Sequence, residues 1–261
     1  MPFRLFAGAV LFCAAALTAR AADPTAQQLA DRLDFIRRPT QSFEVKLSVT
    51  EFKNGKQEQS SVMHVMARKH PQSTRFDAVA LCLEPAADKG KCVFTGEKDV
   101  WFFDPKAKHP TQVSPHHFKG KFFVSDALST SFNADYECEL DGEETIPDAS
   151  HQNVTCLRLK MKKRDKGGVI PDVIEYWIDK KLLQPIRGQF FTASGKLLRT
   201  SYYAAYAKVF GETRPTRVLV VSNTEKGVVT DLKFSDFATH EWPEAMFSKD
   251  ALEKVSHGEL P

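Results

Sequence analysis

The sequence predicts a mainly β protein: one antiparallel sheet of about ten or eleven strands that curls into an incomplete β-barrel and is covered by short helices. Three observations carry this. Alternation of apolar and polar residues recurs from Phe43 to Phe234, with turn residues such as Gly195, Gly211, Asn223 and Gly227 between the runs. Helical periodicity is confined to the beginning, the middle and the end. A sheet of that many strands also cannot stay flat and open, because twist accumulates from strand to strand. Curling creates a concave face that two or three short helices cannot fill completely.

The elements follow in chain order. In DPTAQQLADRLDFIRRP, Leu29, Leu33 and Ile36 with Ala30 form one apolar stripe, so an amphipathic helix is expected, capped by Thr25 or Asp23 and ended by Pro39. The period then drops to two. Phe43, Val45, Leu47 and Val49 alternate with Glu44, Lys46, Ser48 and Thr50, which is a strand with one wet face. Asn54-Gly55 is a two-residue hairpin turn. Further strands are expected over Ser60–Ala67, Thr74–Leu83, Lys91–Phe94 and Val100–Phe103. Residues 104–135 read as an irregular stretch too aromatic to be a solvated linker, with short helical turns around Asp126–Phe132. Strands resume at Tyr136–Leu140, Val154–Met161, Asp172–Ile178, Gln184–Phe191, Lys196–Ala204, Thr216–Ser222 and Val228–Phe234. FSKDALEKVS then forms a short closing helix capped by Ser248.

The amino end has the layout of a secretory signal peptide: Arg4, the apolar run Leu5–Leu17, and Ala19-Arg20-Ala21 as cleavage site. That run is ~13 residues, short of the ~20 a membrane span needs. Phe12 before Cys13 is too bulky for a lipoprotein cleavage site. Cleavage after Ala21 would leave residues 22–261 as a single exported domain. Lys plus Arg total 36 against 33 Asp plus Glu, a balance without the basic surplus that nucleic-acid binding calls for. In the exported compartment the even set Cys82, Cys92, Cys138 and Cys156 suggests two local disulfides, Cys82–Cys92 and Cys138–Cys156, with free thiols as the alternative. Each bridge would contribute ~3 kcal/mol through loop closure. No zinc spacing is present.

Polar constellations for chemistry are weak. His109, His116 and His117 lie on the irregular stretch with no acidic residue at ligand spacing, and Ser125-Asp126 lacks a nucleophile elbow. Neither a metal, a cofactor nor a catalytic set is expected. The basic runs Lys119–Lys121 and Lys160–Lys166 read as solvated turns, with contact to anionic lipid heads as the alternative.

The second half carries a resemblance. Trp177-Ile178-Asp179, the Pro185 turn, Gly195-Lys196-Leu197-Leu198, Arg214-Pro215-Thr216, Phe234-Ser235-Asp236 and the closing Phe247–Leu252 fall in an ordered series. That series resembles the LolA-like outer-membrane lipoprotein-sorting family, most of all its longer branch associated with exporters of the RND/MMPL type. The match is good over about residues 172–256 and holds in order and pattern before that. The branch's Ser-Asp-Phe element reads Ser125-Asp126-Ala127 here. The resemblance implies an incomplete barrel with a helical lid. It implies a periplasmic carrier of acyl chains of a lipoprotein or lipid, with an inner-membrane transporter (RND/MMPL or ABC type) as donor and an outer-membrane acceptor.

Carrying a tail needs apolar surface rather than catalysis. At about 0.8 kcal/mol per methylene, a chain with ~15 methylenes resists leaving a membrane by roughly 12 kcal/mol. The expected cavity lining is Phe43, Val45, Leu47, Val49, Val65, Leu81, Trp101, Phe103, Trp177, Phe190 and Leu219, with Leu29, Leu33 and Ile36 as lid contacts. Taken singly, each residue reads first as plain core, since apolar residues fill interiors by default; as a group they are better evidence for a lining. A lipid- or lipoprotein-binding sensor of the same fold is the alternative function. A structural exporter subunit is a further one, and an enzyme is disfavoured.

Overall fold

A computed structural model describes residues 23–70, 75–96, 99–113, 130–164 and 171–259 of the chain. The expected signal peptide, His116, His117, the Lys119–Lys121 run and Ser125-Asp126-Ala127 lie outside the described residues. The chain opens with α1 (Ala26–Arg37), where Thr25 and Gln28 cap each other's backbone N–H groups. Six strands follow: β1 (Phe43–Lys53), β2 (Lys56–Lys69), β3 (Phe76–Glu84), β4 (Cys92–Thr95), β5 (Val100–Phe103) and β6 (Thr111–Gln112). After the short α2 (Phe132–Asp135) come seven more. These are β7 (Tyr136–Pro147), β8 (Asn153–Lys163), β9 (Val173–Asp179), β10 (Pro185–Phe191), β11 (Leu197–Val209), β12 (Glu212–Ser222) and β13 (Val228–Thr239). Two 3-10 turns and α3 (Leu252–Ser256) end the described chain.

All thirteen strands form one antiparallel sheet in the order β6-β5-β4-β3-β2-β1-β13-β12-β11-β10-β9-β8-β7. Every neighbour but one is a hairpin; the exception pairs the first long strand with the last, Leu47 opposite Phe234. The sheet therefore curls through the β1–β13 seam and stays open between β6 and β7. The expected curled sheet is borne out with two strands more. Asn54 and Gly55 both take positive φ (51° and 78°), the conformation a two-residue hairpin with right-twisted arms requires.

The concave face is buried along the sheet, and parts of the convex face are buried too. On the concave side Phe43, Val45, Leu47, Val65, Ala78, Ala80, Leu159, Ile174, Tyr176, Val218 and Leu232 pack with Leu29 and Leu33 of α1. On the convex side Met66, Val79, Leu81, Phe94 and Phe103 pack under Trp242, Met246, Phe247, Leu252 and Val255 of the carboxyl-terminal segment. The closing helix thus covers the outside of the barrel, not its mouth. Double coverage explains why β3, FDAVALCLE, is apolar at consecutive positions rather than alternating.

The two expected disulfides are corrected by register. All four described cysteines are free. Cys92 stands opposite Leu81 across β3–β4, so it shares Leu81's face, and Cys82, one residue on, points to the other. Cys138 stands opposite Met161 across β7–β8. Cys156 lies five residues from Met161, which is ~17 Å along the strand and on the opposite face. The expected loop between them is instead strand as far as Pro147. Burial pushes the Cys92 and Cys156 thiols up to about 12 and Cys138 to about 11, which keeps them protonated. Adding a reductant is accordingly expected to leave the melting temperature unchanged, and thiol titration of the unfolded chain should count all four without prior reduction. A drop in melting temperature on reduction would restore a bridge.

Candidate functional site

The concave face does not close on itself. Between the sheet and α1 and α2 lies a hollow of about 150 Å³, or about 1280 Å³ when the space out to its open mouth is counted. Its wall is built strand by strand from inward positions. β1 gives Phe43, Val45 and Leu47; β2 gives Val65; β9 gives Ile174 and Tyr176; β10 gives Phe190; β11 gives Arg199, Ser201 and Tyr203; β12 gives Arg214 and Val218. The roof is Ile36 and Arg37 of α1 with Thr130 and Phe132 at α2.

Two local devices shape the wall. Gly188 on β10 stands opposite Tyr176 on β9 and Ser201 on β11. A Cβ there would come within 3.1 Å of the Tyr176 ring. The missing side chain lets that ring lie over the backbone and reach the Tyr203 hydroxyl at 2.8 Å. Burial pushes both phenols above their ordinary values, so the pair stays neutral. The second device is in Phe234-Ser235-Asp236-Phe237. Spaced by three, the two phenylalanines of a regular strand would face opposite sides. The register slips between β1 and β13 here, with Asp236 at φ 53°, and this bulge turns both rings into the hollow.

The roof is held by charge and hydrogen bonds. Asp34 of α1 accepts from the amides of Phe132 (3.1 Å) and Asn133 (3.3 Å) and from Ser131 Oγ (3.0 Å). It also pairs with Arg37 (2.6 Å) and Arg38 (3.1 Å). Burial alone would raise this carboxyl, but Arg37, Arg38 and the Phe132 amide outweigh it and hold it below its ordinary value. Arg37 also donates to the Thr130 carbonyl at 2.8 Å and lies 3.6 Å over the Phe132 ring. At the other end of the roof, Arg214 donates to the carbonyls of Phe35, Ile36 (2.5 Å) and Val209 (3.2 Å). Burial lowers the guanidinium's pKa from its ordinary value, the mark of a desolvated cation held by backbone oxygens.

The expected residues divide. Phe43, Val45, Leu47, Val65, Phe190 and Ile36 line the hollow. Leu29 and Leu33 pack in the inner cluster behind it, with Val49 at its margin. The others are corrected. Leu81, Phe103 and Trp101 face the convex side under the carboxyl-terminal segment. Leu219 falls between the inward Val218 and Val220 and is half-buried. Trp177 sits in a small outer cluster with Ile146, Cys156 and Ile186, its Nε1 donating to Glu144 at 2.6 Å and Arg187 over its ring at 3.8 Å. Sequence reading missed Phe132, Tyr136, Tyr176, Tyr203, Phe210, Phe234 and Phe237, all of which line the hollow. It also missed the arginines. Among the described residues no group of three or more His, Cys, Asp or Glu is placed to hold a metal ion. No helix there is long and apolar enough to cross a membrane.

A curled open sheet with an apolar hollow under a two-helix roof defines a class of binding fold, and solved structures share it. A LolA superfamily protein from Nitrosomonas europaea superposes with a TM-score of 0.74 at 25% identity, covering 87% of this chain and 99% of that one. A DUF1329 family protein from Desulfovibrio piger gives 0.73 at 17% identity, over 88% and 100% of the two chains. A structure described as an outer membrane lipoprotein-sorting protein domain, from Vibrio parahaemolyticus, gives 0.73 at 18%, over 87% and 98%. The chain is LolA-like, and it belongs to the family whose model, described as "-like: Uncharacterized protein", matches residues 76–254. No curated protein matches the sequence.

Proposed function

We propose that this protein is a periplasmic carrier, one domain over residues 22–261, that shields acyl chains of a lipid or lipoprotein between the inner and outer membranes. The observation that supports it is the roofed hollow: nine aromatic side chains and a handful of aliphatic ones around a space that no side chain among the described residues fills. Interiors of folded proteins are normally filled to crystal density, so a hollow of this kind fits an occupant. The neighbours named for lipoprotein sorting add to the reading. A membrane transporter of the RND/MMPL or ABC type as donor and an outer-membrane acceptor complete the proposed route.

Size says what uptake requires. A methylene fills about the space of a liquid water molecule, ~30 Å³, so a tail with ~15 of them needs about 450 Å³. The space of about 1280 Å³ that includes the open mouth exceeds that.

Two measurements test the reading. Native mass spectrometry of protein purified from the periplasm should show co-purifying lipid. The delipidated protein should take up a fluorescent fatty acid with saturation. A chain that arrives empty and takes up no amphiphile is not a carrier.

A further inference from the structure

One feature of the wall is not explained by hydrocarbon alone. Successive inward positions of β11 are Arg199, Ser201 and Tyr203, a polar row inside an otherwise greasy hollow. Arg199 is 4% exposed and Ser201 2%. A guanidinium costs several kcal/mol to bury unless compensated. Stacking at 4.4 Å over Phe190 contributes to offsetting that cost beside its other contacts. The lining holds three arginines, Arg37, Arg199 and Arg214, and among the described residues no Asp or Glu. Two of the three are engaged in the roof, Arg37 with Asp34 and the Thr130 carbonyl, Arg214 with three backbone carbonyls. Arg199 belongs to the wall, not the roof.

Resting on the carrier reading, we infer that the ligand is an anionic amphiphile whose carboxylate or phosphate head is received by Arg199 and Ser201. A guanidinium presents five N–H donors in a planar fork that matches both oxyanions, so it can take a head group alongside its existing contacts. The geometry also sets the tail's direction. Arg199 pairs with Ser222 and Arg214 pairs with Ala207 across β11–β12, so the two arginines stand eight residues apart along the ladder, ~26 Å at ~3.3 Å per residue. One leaflet's tails fill about half of the ~30 Å hydrocarbon core, ~15 Å. A tail leaving Arg199 passes Tyr176 and Tyr203 and ends about level with Val218, which pairs with Tyr203; that is short of Arg214 and of the Phe43, Phe210 and Phe237 rings, which meet edge-on near 6 Å at that far end.

The test compares probes that share a tail. A fatty acid, the matching fatty alcohol, a lysophosphatidate of equal chain length and inorganic phosphate alone are titrated into the full delipidated protein, with Arg199→Gln and Arg199→Lys alongside. A charge-assisted bond is worth ~1.5–3 kcal/mol, so the acid or the lysophosphatidate should bind about 10- to 100-fold more tightly than the alcohol. Whichever binds better names the head. R199Q should bring the acid-to-alcohol affinity ratio down towards one, and R199K should restore part of it; a ratio unchanged in a folded R199Q overturns the assignment. If R199Q does not fold, the acid-to-alcohol ratio in the unaltered protein decides. Equal affinity for acid, lysophosphatidate and alcohol overturns the head-group assignment and leaves the carrier standing. Inorganic phosphate binding as tightly as the amphiphiles also overturns it, since the site would then need no tail. Failure of every tailed probe overturns the carrier itself.

Discussion

Asp34→Ala is expected to cost about 3–5 kcal/mol, the range for removing one partner of a buried, multiply bonded charge, and to free the roof before it unfolds the sheet. The carboxylate takes the capping role at α2 that Ser131 leaves open, since the Ser131 side chain makes no capping bond to that helix. Its loss strips the Phe132 and Asn133 amides of their acceptor and leaves Arg37 and Arg38 facing each other without their shared anion. Hydrogen exchange should rise first in α1 and α2 while β10–β12 stay protected. The same contact sets a pH dependence. Because the folded carboxyl lies below its ordinary value, the unfolded chain binds the proton more readily. The stabilisation is therefore complete above the unfolded value of ~3.9 and is lost as pH falls through the lower, folded one. Acid should loosen the roof, and Asp34→Asn should flatten that dependence. An α1 whose exchange is insensitive both to D34A and to acid would show that the roof is fastened elsewhere.

How far the sequence carried can be judged at particular residues. Phe43, Val45 and Leu47 were legible because their neighbours are polar, so only one face could be the buried one. In Glu175-Tyr176-Trp177-Ile178 aromatics occupy both parities. Which ring faces the hollow depends on the side α1 covers, and that is a tertiary fact; Tyr176 turned in and Trp177 out. β3 to β5 defeat alternation altogether, because a segment more than a hundred residues away buries their outer face, and Leu81, Trp101 and Phe103 went with it. The cysteines fail for a related reason. Flanking a hairpin suggests a staple, but one residue of register decides whether two thiols share a face. Phe237 needed a bulge that no pattern announces. Asp34 caps a helix nearly a hundred residues further on, and capping of that kind leaves no local signature. The resemblance to a family supplied the roof and hollow as a pair, while the polar row Arg199-Ser201-Tyr203 lies just past its Gly195-Lys196-Leu197-Leu198 element, where the series names no residue.

Arg214→Ala should open the opposite end of the roof. The Arg-Pro-Thr element contributes the guanidinium that gathers the Phe35, Ile36 and Val209 carbonyls. The first two are orphan acceptors that every helix leaves over its last turn. Arg38, which follows, is extended and ends the helix, its N–H going to the Asp34 carbonyl. A buried carbonyl left unpaired costs about 1–3 kcal/mol, so three of them put the expected loss at about 3 kcal/mol or more even if water reaches one. For a chain of this size that is a fall of about 6–12 °C in Tm. Arg214→Lys should recover only a fraction, since one ammonium cannot reproduce the fork. The functional consequence follows from its place: Arg214 lines the hollow and ties down the end of α1 above it, so weakening this latch should speed uptake of a fluorescent fatty acid and shorten its retention. Hydrogen exchange should report the last turn of α1 as the first segment to lose protection. A variant with unaltered Tm, unaltered protection at residues 34–37 and unaltered uptake kinetics would mean that Arg214 fills space at the mouth without latching it.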